Sequence, residues 1–230
     1  VLMFLGTLIL TCAPTHENIG PFAAAIVLVA RLLQGFSAGG EFGSATAFLT
    51  ENAANRKAYY ASWQTATQGA SLFMAAGVSF VLTVALTDEQ LYSWGWRVAF
   101  GLGLLIGPVG IYIRMKMDDT PEFDADNVVK SPLRTTLQHN LGRVLTAAGC
   151  VGVATLSMYL LLYMPTFAIT NLGLPAYSGY VGGIFGGATV LVLSPQIGKL
   201  ADRVGCVTVM RIAAATGVIC AIPLFLLLNA

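Results

Sequence analysis

Long apolar runs alternate with short polar connections along the chain, and this pattern predicts membrane-spanning helices. A span needs about 20 mostly apolar residues, and six runs of this kind follow a shorter apolar run at residues 1–10. They cover approximately residues 22–49, 59–86, 94–113, 144–169, 177–197 and 207–228. Because backbone polar groups cannot stay unpaired in lipid, each run is expected to be a helix. We predict an all-α integral membrane protein with six full spans and one partial span.

Composition agrees with this class. Apolar residues make up 56% and charged residues 10% of the 230 residues, whereas soluble domains carry about 25% charged residues. The net charge of +1 offers no basic surface for a nucleic acid, so none is expected as a partner. The sequence contains no HExxH pair and no glycine-rich phosphate loop with lysine, and we expect no metal or cofactor.

Basic residues fall in alternate connections, which predicts the orientation of the spans. Ten of the twelve basic residues belong to this set: Arg56, Lys57, Arg114, Lys116, Lys130, Arg134, Arg143, Lys199, Arg203 and Arg211. The intervening connections carry only acidic residues or no charge. Loops 51–58, 114–141 and 198–206 are therefore expected to be cytoplasmic, in an inner or plasma membrane.

Counting residues 1–10 as the first apolar run, the second run, at residues 22–49, contains the charged residues that indicate a function. Arg31 lies about nine residues, or roughly 14 Å, into this span. An ionisable residue inside a span costs about 2.5–3.5 kcal/mol on insertion scales, which makes it a candidate functional residue. Since arginine stays protonated, Arg31 can hold an anionic substrate or pair with a carboxylate. The alternative is a structural arginine that binds backbone carbonyls.

Glu41 lies ten residues beyond Arg31, roughly 80° around the helix, so the two charges are not expected to pair. Glu41 is a candidate proton site or cytoplasmic gate residue, or a carboxylate satisfied by packing. Gly35, Gly39 and Gly43 are four residues apart and form a smooth ridge that another helix could approach.

Polar residues recur at helical spacing on two further spans. On the third span the stripe comprises Tyr60, Gln64, Gln68 and Ser71, and on the fifth span it comprises Thr155, Tyr159 and Tyr163, just before Pro165. Polar groups in a span turn toward a bundle interior or an aqueous cavity. Tyr60, Gln64, Gln68, Tyr159 and Tyr163 are thus candidates to line a substrate cavity, the alternative being polar contacts between helices.

Four motifs carry a resemblance to a known family: RLLQGFSAGGE at 31–41, WGWRVAF at 94–100, IRMKMDDTPEF at 113–123 and GKLADRVG at 198–205. Together they resemble the major facilitator superfamily, and within it the metabolite:proton symporter branch. The resemblance implies a twelve-helix parent built from two six-helix bundles. Residues 1–113 would be helices 3–6, residues 114–141 the cytoplasmic linker, and residues 142–230 helices 7–9. Both chain ends fall in apolar runs, so we expect a fragment that lacks five helices and is inactive by itself.

The resemblance also assigns roles to residues. It implies a coupling role for Arg31, with Gln34 as part of the surrounding motif, and a cytoplasmic gate at Gly198, Asp202, Arg203 and Gly205. Asp202 is expected to meet the positive end of the third span near residues 55–57. Cys206 stands where the family usually has a basic residue, which leaves Arg211 as the nearest later cation and weakens the basic half of the gate.

The resemblance implies proton-coupled symport of small organic acids such as citrate or 2-oxoglutarate by alternating access, and Arg31 is the only local support for an anionic substrate. The third span contains no proline, which disfavours the drug-antiporter branch. The alternatives are a betaine or proline symporter and a non-transporting membrane sensor or scaffold. GFSAG at 35–39 matches a serine-hydrolase elbow formally but has helix on both sides and no histidine within reach, so we expect no enzyme. The expected partners are an organic anion, protons and the lipid bilayer, and the expected state is a monomer.

Overall fold

The computed structural model describes residues 1–51, 53, 55–116, 140–171 and 173–228, and every regular element among them is a helix. In chain order these are α1 (Leu2–Cys12), α2 (His16–Ile19), α3 (Phe22–Glu51), α4 (Lys57–Ala85), α5 (Asp88–Gln90), a π-helical turn (Leu91–Gly95), α6 (Trp96–Leu104), α7 (Ile106–Lys116), α8 (Leu141–Thr170), α9 (Ala176–Val204) and α10 (Cys206–Leu228).

Five helical segments are long and apolar enough to cross a membrane: Phe22–Glu51, Lys57–Ala85, Asp88–Ile113, Leu141–Thr170 and Tyr177–Val204. The first, of 30 residues, is about 45 Å long at 1.5 Å per residue, which exceeds the roughly 30 Å hydrocarbon core. Leu2–Cys12 and Cys206–Cys220 are shorter apolar helices. The all-helical membrane fold predicted from the sequence is confirmed.

Helix boundaries correct the ends of all three predicted loops. The sixth span, expected to end near residue 197, continues as helix to Val204, so only Gly205 separates α9 from α10. The predicted loop at 198–206 is therefore wrong over residues 198–204. Within the predicted loop at 51–58, Glu51 still belongs to α3, and α4 begins at Lys57. In the predicted linker at 114–141, α7 continues to Lys116 and α8 begins at Leu141, so the linker is wrong at these ends. Residues 117–139 lie outside the described residues.

Local sequence explains where several helices begin and end. Gly20 has a φ of 58°, Gly173 of 64° and Gly205 of 91°, a left-handed region that favours glycine. Thr87 and Gln90 form a reciprocal capping box at the start of α5, which satisfies two backbone N–H groups. Pro165 lies inside α8, which continues through it instead of breaking there.

The helices divide into two compact units, each with contributions from α3, α4 and α9. The first unit comprises Val1–Gly35 and Leu72–Gly186. In it α1 packs against α6 and α7, where Gly107 lies directly against the Phe4 ring. A Cβ at Gly179 would lie 3.1 Å from Pro165 Cβ, so α8 and α9 also approach closely.

The second unit comprises Phe36–Ser71 and Gly187–Ala230. In it the first half of α4 contacts the second half of α9. A Cβ at Gly69 would lie 2.6 Å from the backbone nitrogen of Leu191, so backbone approaches backbone here. Only a small residue fits such a crossing, as is common between helices in membranes.

Large apolar side chains face outward along all the long helices. Phe36, Met74, Tyr112 and Val218 are examples, each more than 60% exposed, whereas the buried apolar residues of the described chain are mostly alanines. Extensive exposed apolar surface marks a membrane or interaction surface. The chain is thus a multi-pass membrane protein.

Candidate functional site

The guanidinium of Arg31 is held by a glutamine on its own helix. Arg31 Nη1 donates to Gln34 Oε1 at 3.1 Å, and the three-residue spacing puts both side chains on one face of α3. On its other side, the guanidinium carbon lies 6.0 Å from the centroid of the Phe100 ring of α6. This distance is at the limit of a cation–π contact.

Gln34 in turn contacts α1. Its Nε2 donates to Thr7 Oγ1 at 3.1 Å, and the Thr7 hydroxyl donates to the Met3 carbonyl at 2.9 Å. Gln34 is half-buried, while Arg31 is exposed. Within the described residues no carboxylate pairs with Arg31 and no backbone carbonyl accepts from it. Its remaining N–H donors are thus available to an anion.

Glu41 has a separate partner, as the helix geometry predicted. The hydroxyl of Ser37 donates to Glu41 Oε1 at 3.0 Å, one helical turn back along α3. Ser37 is 9% exposed, and its hydroxyl is used by this carboxylate. The GFSAG stretch is helical throughout, so it lacks the strand that a nucleophile elbow requires.

Asp202 caps the start of α4. Its Oδ1 accepts from the Ala58 backbone N–H at 2.9 Å, and its Oδ2 accepts from the Tyr59 N–H at 3.0 Å. A carboxylate is favourable here because the first N–H groups of a helix have no partner inside it and carry the positive end of the helix dipole. The structure places this contact next to the expected residues 55–57.

Two neighbours of Asp202 complete this contact surface, which we name the α4–α9 clasp and define as Ala58, Tyr59, Ser62, Gly198, Lys199 and Asp202. Gly198 lies directly against Ser62, and a Cβ there would lie 2.9 Å from the Ala58 carbonyl oxygen. Lys199 Nζ lies 5.2 Å from the centroid of the Tyr59 ring. Gly198 therefore permits the close approach that the sequence suggested.

The remaining residues of the gate motif play other parts. Arg203 is exposed in the last turn of α9, where a positive charge complements the helix dipole. Gly205 takes a positive φ, and the nearest atom to a Cβ there is 3.9 Å away, so it serves a turn instead of a close approach. Arg211 is exposed on α10, and in the described chain no hydrogen bond or ion pair joins it to Asp202. The cation of the clasp is Lys199.

The two polar stripes lie on the helices expected for them. Tyr60 is 44% exposed and Gln64 and Gln68 are half-buried on α4, in the second unit. Tyr159 and Tyr163 are 66% and 51% exposed on α8, in the first unit. That the stripes line one substrate cavity stays a prediction.

The sequence did not indicate Thr7, nor the contacts that Phe100 and Arg97 make. Arg97 Nη2 donates to the Ala13 carbonyl at 3.1 Å and Nη1 to the Ser93 carbonyl at 2.7 Å, while its guanidinium carbon lies 4.3 Å from the Trp96 ring centroid. It joins the end of α1 to the π-helical turn. The WGWRVAF motif flagged Arg97 and Phe100, but a lone threonine in an apolar run gave no signal.

The sequence model of the Major Facilitator Superfamily matches residues 1–230. The chain is 34% identical over 208 residues to the citrate-proton symporter of Klebsiella pneumoniae, covering 89% of this chain and 47% of that protein. It is 30% identical over 227 residues to the alpha-ketoglutarate permease of Escherichia coli (strain K12), covering 97% and 52%.

It is also 28% identical over 247 aligned positions to the proline/betaine transporter of Escherichia coli (strain K12), covering 100% of this chain and 49% of that protein. The chain thus spans about half the length of the curated relatives it matches. No solved structure matches it significantly. The helical membrane fold and a family match along the whole sequence show that this chain belongs to the Major Facilitator Superfamily, a family of transporters and not of enzymes.

Proposed function

We propose that this chain is part of a proton-coupled symporter for small organic acids of the citrate or 2-oxoglutarate type. Arg31 carries the proposal: a permanent positive charge about 14 Å into a span, oriented by one glutamine and with further N–H donors open to a ligand. Arginine binds carboxylates through two parallel hydrogen bonds. The names of two relatives, a citrate-proton symporter and an alpha-ketoglutarate permease, support this substrate class.

A zwitterion such as betaine or proline is the second candidate substrate. It also carries a carboxylate that Arg31 could hold, and a proline/betaine transporter is among the relatives. A dicarboxylate or tricarboxylate gains more from a fixed guanidinium than a zwitterion does, because its net charge is negative. The organic acids are therefore our first choice.

The α4–α9 clasp is proposed as the cytoplasmic gate of this carrier. In alternating access, one group of helices rocks against another around a central site. Asp202 can hold the start of α4 when the cytoplasmic side is closed and release it when that side opens. We place the clasp and the linker 114–141 on the cytoplasmic side of an inner or plasma membrane, from the distribution of basic residues.

The wider architecture belongs to the same proposal. Residues 1–113 would form helices 3–6 and residues 142–230 helices 7–9 of a twelve-helix carrier that works as a monomer. Gln34 would orient Arg31, and Glu41 would be a proton or gate residue. The polar side chains of Tyr60, Gln64, Gln68, Tyr159 and Tyr163 would line the substrate path.

Uptake into membrane vesicles tests the function. The protein, expressed from its natural gene, is given labelled citrate, 2-oxoglutarate or glycine betaine, with and without an imposed inward proton gradient. We expect gradient-dependent accumulation of an organic acid that Arg31→Lys abolishes, because an ammonium cannot reproduce the two-pronged contact. Arg143→Lys, at an exposed position in the first turn of α8, is the matched control.

Gradient-dependent uptake of betaine alone would replace the organic acids with the second candidate. Uptake of an organic acid that is unchanged in Arg31→Lys would leave the symport standing and remove Arg31 from the substrate site.

A further inference from the structure

Three side chains form a series of hydrogen bonds that runs from the charge of Arg31 on α3 to α1. Arg31 donates to Gln34 Oε1 at 3.1 Å, Gln34 Nε2 donates to Thr7 Oγ1 at 3.1 Å, and Thr7 donates to the Met3 carbonyl at 2.9 Å. Every donor in the chain points away from Arg31 toward α1. This series of hydrogen bonds allows only one orientation of the Gln34 amide.

The chemistry of the three groups explains why. A guanidinium has donors only, so the end of Gln34 that faces Arg31 must be the carbonyl oxygen. The amide NH₂ then faces α1 and needs an acceptor. Thr7 supplies one because its own hydroxyl proton is committed to the Met3 carbonyl. One hydroxyl on α1 therefore decides which end of the amide Arg31 meets.

Close packing restricts the glutamine further. A Cβ at Gly6 would lie 2.7 Å from Gln34 Cγ and 3.0 Å from the Ala30 carbonyl oxygen, so the stem of Gln34 lies directly on the α1 backbone. Ala30 is fully buried at this crossing. With little room for the stem to shift, the orientation of the amide depends on Thr7.

We propose that Thr7 is a positioning residue for Arg31, acting through Gln34. This rests on the proposed function, in which Arg31 holds the carboxylate of the substrate. Thr7 does not touch that substrate. It fixes the amide that aims the guanidinium, and small errors in the placement of a binding group are costly because the contact is directional.

Isosteric substitution tests this. Thr7→Val keeps the shape of the side chain and removes the acceptor for Gln34, whereas Thr7→Ser keeps the hydroxyl. Thr11→Val is the matched control: the Thr11 hydroxyl donates to the Thr7 carbonyl at 2.8 Å on the same helix, one turn along. Both valine variants lose one bond to their own backbone, but only Thr7→Val loses the contact with Gln34.

We expect Thr7→Val to raise the KM of uptake by about tenfold, the value of one well-placed hydrogen bond, with the maximal rate per folded molecule unchanged. Thr7→Ser and Thr11→Val should stay within about twofold of the unsubstituted protein. In a Gln34→Ala background, Thr7→Val should have no further effect, because the two residues act in one chain. Additive effects of the two substitutions, or equal KM values for the two valine variants, would overturn the proposal.

A chemical readout separates this proposal from the proposed function. Phenylglyoxal modifies guanidinium groups, and its rate at Arg31 can be followed by peptide mass spectrometry in membranes without any transport. We expect Thr7→Val to accelerate modification of Arg31 about threefold or more relative to Thr11→Val, because Gln34 is no longer held in the orientation that pairs with the guanidinium. Equal rates would reject the positioning role, whatever the uptake shows. A protein that accumulates none of the three substrates, yet shows the faster modification, would fail only the proposed function.

Discussion

The ammonium group of Lys199 lies 5.2 Å from the centre of the Tyr59 ring, and the backbone N–H of the same tyrosine donates to Asp202. Two residues of α9, three positions apart, thus hold one residue of α4 by its ring and by its backbone. The first contact needs a cation, and the second needs a hydrogen-bond acceptor, which here carries a negative charge. Each can therefore be removed without the other.

Replacing Asp202 by asparagine should loosen the α4–α9 clasp. The amide keeps one acceptor of two and loses the charge, which weakens the contact with the helix start by about 1–2 kcal/mol and increases the open population about five- to thirtyfold. Ala201, 9% exposed beside Asp202, can carry a cysteine probe. Maleimide labelling of Ala201→Cys should be faster in Asp202→Asn by that factor.

The control is Asp88→Asn, a carboxylate in the first turn of α5, outside the clasp. It should leave the labelling rate unchanged. Equal labelling in Asp202→Asn and the parent would show that the clasp does not restrict access to this part of α9.

Substitutions at Lys199 and Tyr59 should show whether the ammonium group and the ring stabilise each other. Lys199→Arg and Tyr59→Phe keep a cation over an aromatic face, whereas Lys199→Gln and Tyr59→Leu remove one partner. We expect a coupling of about 0.5–1 kcal/mol between the two residues in a double-mutant cycle on the labelling of Ala201→Cys. Arg211→Ala, which lacks contact with the clasp, should change nothing. A coupling near zero would mean that the lysine merely lies near the ring.

The crossing at Gly69 should tolerate no side chain. In Gly69→Ala the new Cβ would lie 2.6 Å from Leu191 N and 2.9 Å from the Gly187 carbonyl oxygen, and backbone cannot rotate away as a side chain can. We expect a loss of about 1–3 kcal/mol in stability, seen as a lower temperature of aggregation in detergent.

Gly77→Ala, on the same helix with nothing within 4 Å, is the paired control for Gly69. Alanine is the better helix former by about 1 kcal/mol, so this variant should be as stable as the parent or more so. Similar losses at both positions would argue against the close crossing.

Arg97 should be needed for stability and not for transport. Arg97→Ala removes both carbonyl contacts and the stacking on Trp96, and we expect a loss of about 2–3 kcal/mol. Arg97→Lys should recover part of it, because one ammonium cannot reach both carbonyls in the arginine's geometry. Thermal stability and uptake per folded molecule are measured together, with Arg143→Ala as control. A selective loss of uptake would instead move Arg97 into the transport path.

Hydropathy predicts the apolar core of each span well and its ends poorly. The second span begins at Phe22 both in the pattern and in the structure. The sixth was expected to end near residue 197 because Lys199, Asp202 and Arg203 follow, yet the helix continues to Val204. Charges end an apolar run without ending a helix, since these side chains can extend into water from a helical backbone.

Residues of the candidate site could be predicted where their charge is energetically unfavourable in the surrounding sequence. Arg31 stands out as a charge inside a span. The family resemblance pointed to the start of the third span as the partner of Asp202, and a helix start is a favourable partner for a carboxylate. Thr7 could not be found in this way, since a threonine on an apolar helix usually bonds to its own backbone, as Thr11 does. Its contact with Gln34 depends on the close approach of α3 to α1 at Gly6. Such packing between helices cannot be read from a local sequence pattern.

Gly205 is the only residue between α9 and α10, so the ends of the two helices stay close together. Consecutive Cα atoms are about 3.8 Å apart, so the end of α9 cannot swing without carrying the start of α10 with it. The backbone turns there with a φ of 91°, a conformation that would cost roughly 1–2 kcal/mol for a residue with a side chain. Because Gly205 is the only residue between the two helices, a displacement of the α9 end at Asp202 also moves the first residues of α10, a helix of 23 residues about 35 Å long.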